Sequence, residues 1–384
     1  MVIQIINLSY HDIFKRYSGV YKIFREVYQP GLLGLEIRNI TDKLAEKVHK
    51  IVLKEDEISY KFVNQEKKIL SLVIPGSIKS IKELSRKILS SGDEDLGYKI
   101  ANVIKNYEEY DSKVYKIGDT DFSFDKAYTM GILNVTPDSF SDGGKYINVK
   151  DATGYALGMI NDGADIIDIG GESSRPGSEH VGFEEEIARV IPVIDKILER
   201  KPGAIISVDT TKSKVAEAAL QHGAKIINDI SALSFEPGIL DIVKQYKASL
   251  VLMHMKGTPQ NMQDNPAYDD VIQEIYDFFF ERIQMLGRNV KNVFLDPGIG
   301  FGKTVENNFE ILRRLEDFKS LGFPILIGVS RKSFIGKTLG LETNEREPAS
   351  AIIESVAVKN GARIIRTHNV KYGVQVCKLL NNLM

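Results

Sequence analysis

A chain of 384 residues with 43% hydrophobic and 27% charged side chains holds enough apolar material for two or three packed domains, and its balance excludes wholesale disorder and collagen-like repeats. Lys and Arg number 50 against 52 Asp and Glu, so the chain lacks the basic excess of a general nucleic-acid binder. The single cysteine, Cys377, excludes an internal disulfide and a Cys-rich metal site and points to a reducing, cytoplasmic setting. No apolar run reaches the ~18 residues of a membrane span, and Met1–Asn7 has neither the charged nor the full apolar region of a signal peptide.

Residues 1–112 read as a small α+β domain. The periodicity predicts helices over Asp42–Leu53, Ile78–Ser90 and Leu96–Tyr107, and strands over Ile58–Val63 and Ile69–Ile74. Its 18 basic and 16 acidic residues suggest no anionic partner, and it carries no repeat or catalytic motif. Next comes Lys113–Phe124. Val114, Tyr115 and Ile117 precede the turn-prone pair Gly118-Asp119, and Phe122 and Phe124 follow it. This is a predicted β-hairpin, placed to plug the bottom of whatever follows.

From Ala127 the chain alternates short apolar, β-branched runs with amphipathic stretches. The runs are Tyr128–Val135, Ala164–Gly170, Ala204–Asp209, Lys225–Ile230, Ser249–Met255, Val293–Pro297, Pro324–Ser330 and Arg363–His368. Near-continuous hydrophobicity marks strands buried on both faces. The stretches between them include helices predicted over Phe183–Arg200 and Tyr268–Leu286, the latter stopped by Gly287. Eight strand–helix units without a switch in pattern favour a closed (β/α)8 TIM barrel over residues 113–384, ahead of a doubly wound open sheet.

A barrel of this kind carries its chemistry at the C-terminal ends of its strands. There the sequence places Asn134, Asp168-Ile169-Gly170-Gly171-Glu172, Asp209, Asn228-Asp229, His254, Asp296 through Lys303, Ser330-Arg331-Lys332-Ser333 and Arg366-Thr367-His368. Each has a plain alternative. Asp138 and Asp209 can be helix caps, Glu172 can be the buried partner of a base, and His254 between two methionines can be a satisfied core histidine. Independent caps do not require Asp, Asn, Lys, Arg and His to converge on one rim. As a set they make chemical sense. Asp209, Asn228 and Asp296 match the donors and acceptors of an amino-pyrimidinone edge. Lys332, Arg366 and His368 suit a phosphate group, and Asn134 offers the hard oxygen that Mg²⁺ accepts. Gly298, Gly300 and Gly302 let backbone approach a ligand closely. Gly302-Lys303-Thr304 and Gly336-Lys337-Thr338 mimic the end of a phosphate loop, but the motif requires an earlier glycine where Pro297 and Arg331 stand. No His/Cys cluster has zinc spacing.

These strings resemble the signatures of the dihydropteroate synthase family. Gly131 through Gly144 is similar to the first, Asp168 through Gly177 to the second. Asp296 through Lys303, Ser330 through Ser333 and Arg366-Thr367-His368 complete the series in the family's order. The resemblance covers about residues 113–384 and leaves out the first 112, which most family members lack. It implies condensation of 6-hydroxymethyl-7,8-dihydropterin diphosphate with p-aminobenzoate, giving 7,8-dihydropteroate and diphosphate. By matching motifs it implies a pterin site of Asp209, Asn228, Asp296 and Lys332, and a diphosphate site of Asn134, Arg366 and His368 with Mg²⁺ at Asn134. The p-aminobenzoate pocket would comprise Phe301, Arg331 and Ser333, with Ser174, Arg175 and Pro176 on a loop that closes over it. Asp142, Lys332, Arg366 and His368 would be catalytic. It also implies small-molecule substrates and a homodimer; the charge balance and the lack of a long apolar run argue for no nucleic-acid and no membrane partner. Two departures stand out: Asn369 where the family often has Asp, and Ser174 where Thr is common. A methyltetrahydrofolate methyltransferase on the same barrel, or a non-catalytic pterin-binding protein, would share part of this pattern.

Overall fold

The computed structural model describes residues 1–21, 28–53, 60–64, 69–136, 148–173, 180–287, 290 and 292–384. The chain divides into two compact units, Met1–Tyr110 with Glu316–Gly322, and Asp111–Leu315 with Phe323–Met384.

The first unit is built on a four-stranded antiparallel sheet in the order β1-β2-β4-β3, with β1 at Val2–Asn7, β2 at Leu33–Arg38, β3 at Tyr60–Asn64 and β4 at Ile69–Gly76. Strand alternation splits its side chains between two cores. Ile6 and Val73 pack with Ile13, Phe14, Tyr17 and Tyr21 of α1, His11–Tyr21. Ile3, Ile5, Leu35, Ile37, Leu72 and Ile74 pack with α2 (Asp42–Leu53), α3 (Ile78–Ser90) and α4 (Glu94–Glu108). The three expected helices and the β3–β4 pair are present. The sequence reading lacked β1, β2 and α1; in the two strands Gln4, Glu36 and Arg38 interrupt the apolar pattern. They are buried because they pair with each other. Tyr21 donates to Glu36 at 2.6 Å, and Arg38 Nη1 donates to Glu36 at 2.8 Å and to Gln4 at 3.1 Å.

The second unit is the expected (β/α)8 barrel. Its strands are β7 (Tyr128–Asn134), β8 (Ile166–Gly170), β9 (Ile206–Asp209), β10 (Ile226–Asp229), β11 (Ser249–Met253), β12 (Val293–Asp296), β13 (Ile325–Ile327) and β14 (Ala362–Thr367). They pair in sequence order, all parallel, and β14 closes on β7. The surrounding helices are α5 (Val149–Asn161), α6 (Phe183–Arg200), α7 (Ser213–Gln221), α8 (Ile239–Tyr246), α9 (Val271–Leu286), α10 (Val305–Arg313), α11 (Ser333–Leu339), α12 (Glu347–Lys359) and α13 (Val370–Asn381). Helix α9 starts at Val271 rather than Tyr268, because Asp270 takes the cap position and accepts from the N–H groups of Ile272 and Gln273.

The hairpin of β5 (Val114–Ile117) and β6 (Thr120–Ser123) supplies Tyr115, Ile117 and Phe122, with Phe124 just beyond. These pack on Met130, Ile166, Ile205, Ile226, Val251, Phe294, Leu326 and Ile364, so every barrel strand or its leading residue contributes one side chain to this apolar floor. Tyr115 also donates to the carbonyl of Val293 at 3.2 Å. Buried Arg363 ties the hairpin down through the carbonyl of Phe124, at 2.9 Å. Phe124 is fully buried. Phe124→Ala should destabilise this unit by about 3–5 kcal/mol, read as a lower urea midpoint. An unchanged midpoint would mean that the hairpin does not close the floor.

Candidate active site

On a strand, residues two apart share a face. Two residues above the floor the inward face therefore carries Ile132, Asp168, Ser207, Asn228, Met253, Asp296 and Arg366. Two further along stand Asn134 and Asp209. Five of the first seven side chains are polar, against an all-apolar floor one step below. These groups find each other. Arg366 Nε donates to Asp168 at 2.6 Å and its Nη2 to Asp209 at 2.9 Å, and Asn228 Nδ2 donates to the same Asp168 oxygen at 3.0 Å. Asp296 accepts from the N–H of Gly298 at 2.7 Å. Among the described residues, the second oxygen of Asp168 is buried without a hydrogen-bond partner.

The rim is set by the turns above β12 and β13. The ring centroid of Phe301 lies 4.0 Å from Lys332 Nζ. Lys332 is the N-cap residue of α11, so Ser333 is the first helical residue and not its cap. Arg331 has a left-handed φ of 58°. It is held there by its N–H on Ser350 Oγ at 3.0 Å, by Arg346 on its carbonyl at 3.2 Å, and by an ion pair with Glu347. His368 meets Ser330 Oγ through its N–H at 3.1 Å and Nδ1 at 3.0 Å. Arg366 stands on the carboxylate layer, one step below His368. Asp142, Ser174, Arg175 and Pro176 lie outside the described residues.

Burial dominates the charges. It pushes Asp209 up to about 7 in spite of Arg366, and Asp296 up to about 6 in spite of the Gly298 N–H and Lys332. It pushes Lys332 down to about 8 against the pull of Asp296. Burial also opposes the charge on Arg366, but Asp168 and Asp209 outweigh it and hold the guanidinium ionised. The two raised carboxyls keep protons that an unfolded chain has already released. Their contribution to stability is thus present at low pH and lost as pH climbs through about 6 to 7.

Two other readings resolve. Glu172 is the partner of a base: Lys212 bonds both it and buried Glu186, the latter at 2.5 Å. His254 is a satisfied interior histidine, with Phe278 edge-on at 5.0 Å and Lys303 Nζ 3.0 Å from its Nδ1.

Residues 130–368 match the model of the pterin binding enzyme family. The chain is 46% identical over 262 residues to the dihydropteroate synthase of Synechocystis, covering 67% of this chain and 90% of that one. It is also similar to solved structures of Xanthomonas albilineans dihydropteroate synthase. One, with 4-aminobenzoic acid, superimposes with a TM-score of 0.65 at 40% identity over 71% of this chain and 98% of the other. Another, in complex with 7,8-dihydropteroate, gives 0.63 at 37% over the same shares. The chain belongs to the dihydropteroate synthase family. Against the family's frequent Asp, the oxygen of Asn369 caps α13 on Tyr372 N–H at 3.2 Å while its nitrogen donates to Glu347 at 2.5 Å. An Asp would keep the cap and set a second carboxylate against Glu347, so this departure matches a local partner.

Sequence reasoning gave Asp168 no role. The signal was available: it is the lone charge in Ile-Ile-Asp-Ile-Gly, on the inward parity of Ile166. Asp168→Ala strips acceptors from both Arg366 and Asn228. Breaking a buried pair in this way costs about 3–5 kcal/mol, measurable by urea unfolding. A loss under ~1 kcal/mol, the range of an exposed pair, would contradict the hub assignment.

Proposed function

We propose that this chain is a dihydropteroate synthase: it condenses 6-hydroxymethyl-7,8-dihydropterin diphosphate with p-aminobenzoate to 7,8-dihydropteroate and diphosphate, in folate biosynthesis. The observation that carries the reading is the ring of Asp209, Asn228, Asp296, Lys332 and Arg366 gathered above a closed apolar floor, in a chain of this family. Carboxylates and an amide suit the paired N–H and C=O groups of the pterin edge, with Lys332 beside them. Asn134 and His368, one step higher, and Arg366 take the diphosphate. Phe301, Arg331 and Ser333 line the p-aminobenzoate pocket, with Ser174, Arg175 and Pro176 from the second loop.

We assign Mg²⁺ to Asn134. A Cβ on Gly170 would stand 3.7 Å from Asp209 Cβ and 3.8 Å from Asn134 Oδ1, so glycine leaves a small cradle between two oxygen-bearing side chains. Among the described residues no three His, Cys, Asp or Glu form a site of their own. One protein amide plus phosphate oxygens and water suits a magnesium ion that arrives with its substrate. Bound there, it would neutralise the leaving diphosphate.

The chain's own groups do the rest. Arg366, Lys332 and His368 stabilise negative charge as the methylene carbon–oxygen bond breaks. Asp142 stabilises the positive charge left on the pterin methylene. The aryl amine forms the new carbon–nitrogen bond and then gives up a proton to water or the departing diphosphate. No strong base is needed, because the leaving group and the cation carry the barrier.

We further propose a cytoplasmic homodimer without nucleic-acid or membrane partners. Exposed Ile352 and Val356 on α12 and Leu379 on α13 offer an apolar face for a second copy. Among the described residues no helix is long and apolar enough to cross a membrane.

The deciding assay measures diphosphate release with and without p-aminobenzoate. Release that depends on p-aminobenzoate and on Mg²⁺ supports the synthase. Pterin binding without release would point to a non-catalytic binder, and methyl transfer from methyltetrahydrofolate to a methyltransferase. Because Asp296 ionises only above about 6, pterin affinity should fall as pH drops through that value. Asp296→Asn should bind about 10- to 100-fold more weakly at pH above 7, the loss of one charged hydrogen bond, and should lack a step near 6. A flat wild-type profile would remove Asp296 from the pterin site.

A further inference from the structure

Backbone groups in an irregular, partly buried segment still need partners. The turn from Pro297 to Thr304, between β12 and α10, finds them in side chains. The carbonyls of Gly300, Phe301 and Gly302 accept in succession from Gln263 Nε2 at 2.7 Å, Lys303 Nζ at 3.0 Å and Tyr268 OH at 2.7 Å. Gln263 and Tyr268 both belong to the connection after β11. Lys303 is gripped by the same connection, its Nζ lying 3.0 Å from His254 Nδ1 and 3.3 Å from the His254 carbonyl. It is 4% exposed, a buried amine that the proposed reaction does not use. Burial lowers it to about 7, which agrees with a group kept for its hydrogen bonds.

The backbones press together as well. A Cβ on Gly298 would come within 1.9 Å of the His254 carbonyl oxygen, and one on Gly302 within 2.4 Å of that of Lys256. Both glycines have left-handed φ, 70° and 63°. Tyr268 is fixed in turn, with Lys256 Nζ 4.1 Å from its ring centroid. This turn carries Phe301, whose ring faces Lys332.

We propose that the connection from His254 to Tyr268 is a specificity element for the arylamine. Through Gln263, Tyr268 and the Lys303–His254 pair it positions Phe301, and so sets the affinity for p-aminobenzoate while leaving pterin recognition alone. These are positioning residues. The inference rests on the reading of Phe301 as a wall of the p-aminobenzoate pocket.

The test uses the full chain with Gln263→Ala, Tyr268→Phe, their combination, Lys303→Met, and Phe301→Ala as the check on the pocket itself. Steady-state titration gives KM for p-aminobenzoate and kcat, calorimetry gives the Kd of the pterin diphosphate, and circular dichroism confirms folding. Each single change at Gln263 or Tyr268 should raise the p-aminobenzoate KM about threefold to tenfold, as expected for one neutral hydrogen bond. The double variant should raise it further, with pterin diphosphate affinity and kcat close to wild type. Lys303→Met should show the same split if it folds; the Gln263 and Tyr268 variants decide the matter if it does not. An unchanged KM in the double variant, while Phe301→Ala raises it, overturns the positioning role. Equal weakening of both substrates overturns it too, by revealing general support. An unchanged KM in Phe301→Ala refutes the pocket reading instead.

Discussion

In a closed barrel of eight parallel strands, every second side chain has only the interior to point into, and neighbours two apart stack in layers. Here the lower layer is apolar and capped by the aromatic side chains of the hairpin. The next layer holds Asp168, Asn228, Asp296 and Arg366. Polar groups cannot reach water through a floor of this kind, and Arg366, Asp168, Asp209 and Asn228 pair with each other. Arg366, bridging Asp168 and Asp209, makes that layer tolerable.

The same confinement gives the site its electrostatic character. Carboxyls raised to about 6 and 7 stand beside an amine lowered to about 8. Such groups weaken the fold at neutral pH and are primed for a ligand that brings its own donors and anions. Phe301 over Lys332, and the left-handed backbone at Arg331, extend this arrangement to the rim, where the remaining irregular backbone is tied by side chains.

Much of this was legible in the sequence. Eight apolar runs foretold the barrel, Gly118-Asp119 between aromatic residues foretold the hairpin, and the strand-end positions of Asp209, Asn228 and Asp296 foretold the polar ring. Asp168 was legible as a polar residue of the second strand, but its role was not: only the fold shows it accepting from both Arg366 and Asn228. The first strands of the N-terminal unit were hidden by Gln4, Glu36 and Arg38, whose mutual pairing no single-residue propensity encodes. The pairing of Asn369 with Glu347 joins residues from two helix starts that only the fold brings together.

The central claim is that the pterin lies on the polar layer immediately above the apolar floor. A crystal structure with 6-hydroxymethylpterin diphosphate bound tests it most directly. The account predicts the pterin edge within hydrogen-bond distance of Asp209, Asn228 and Asp296, with the diphosphate toward Asn134 and His368. A pterin bound elsewhere, with the Arg366 bridges to Asp168 and Asp209 intact and no ligand on Asp296, would contradict it.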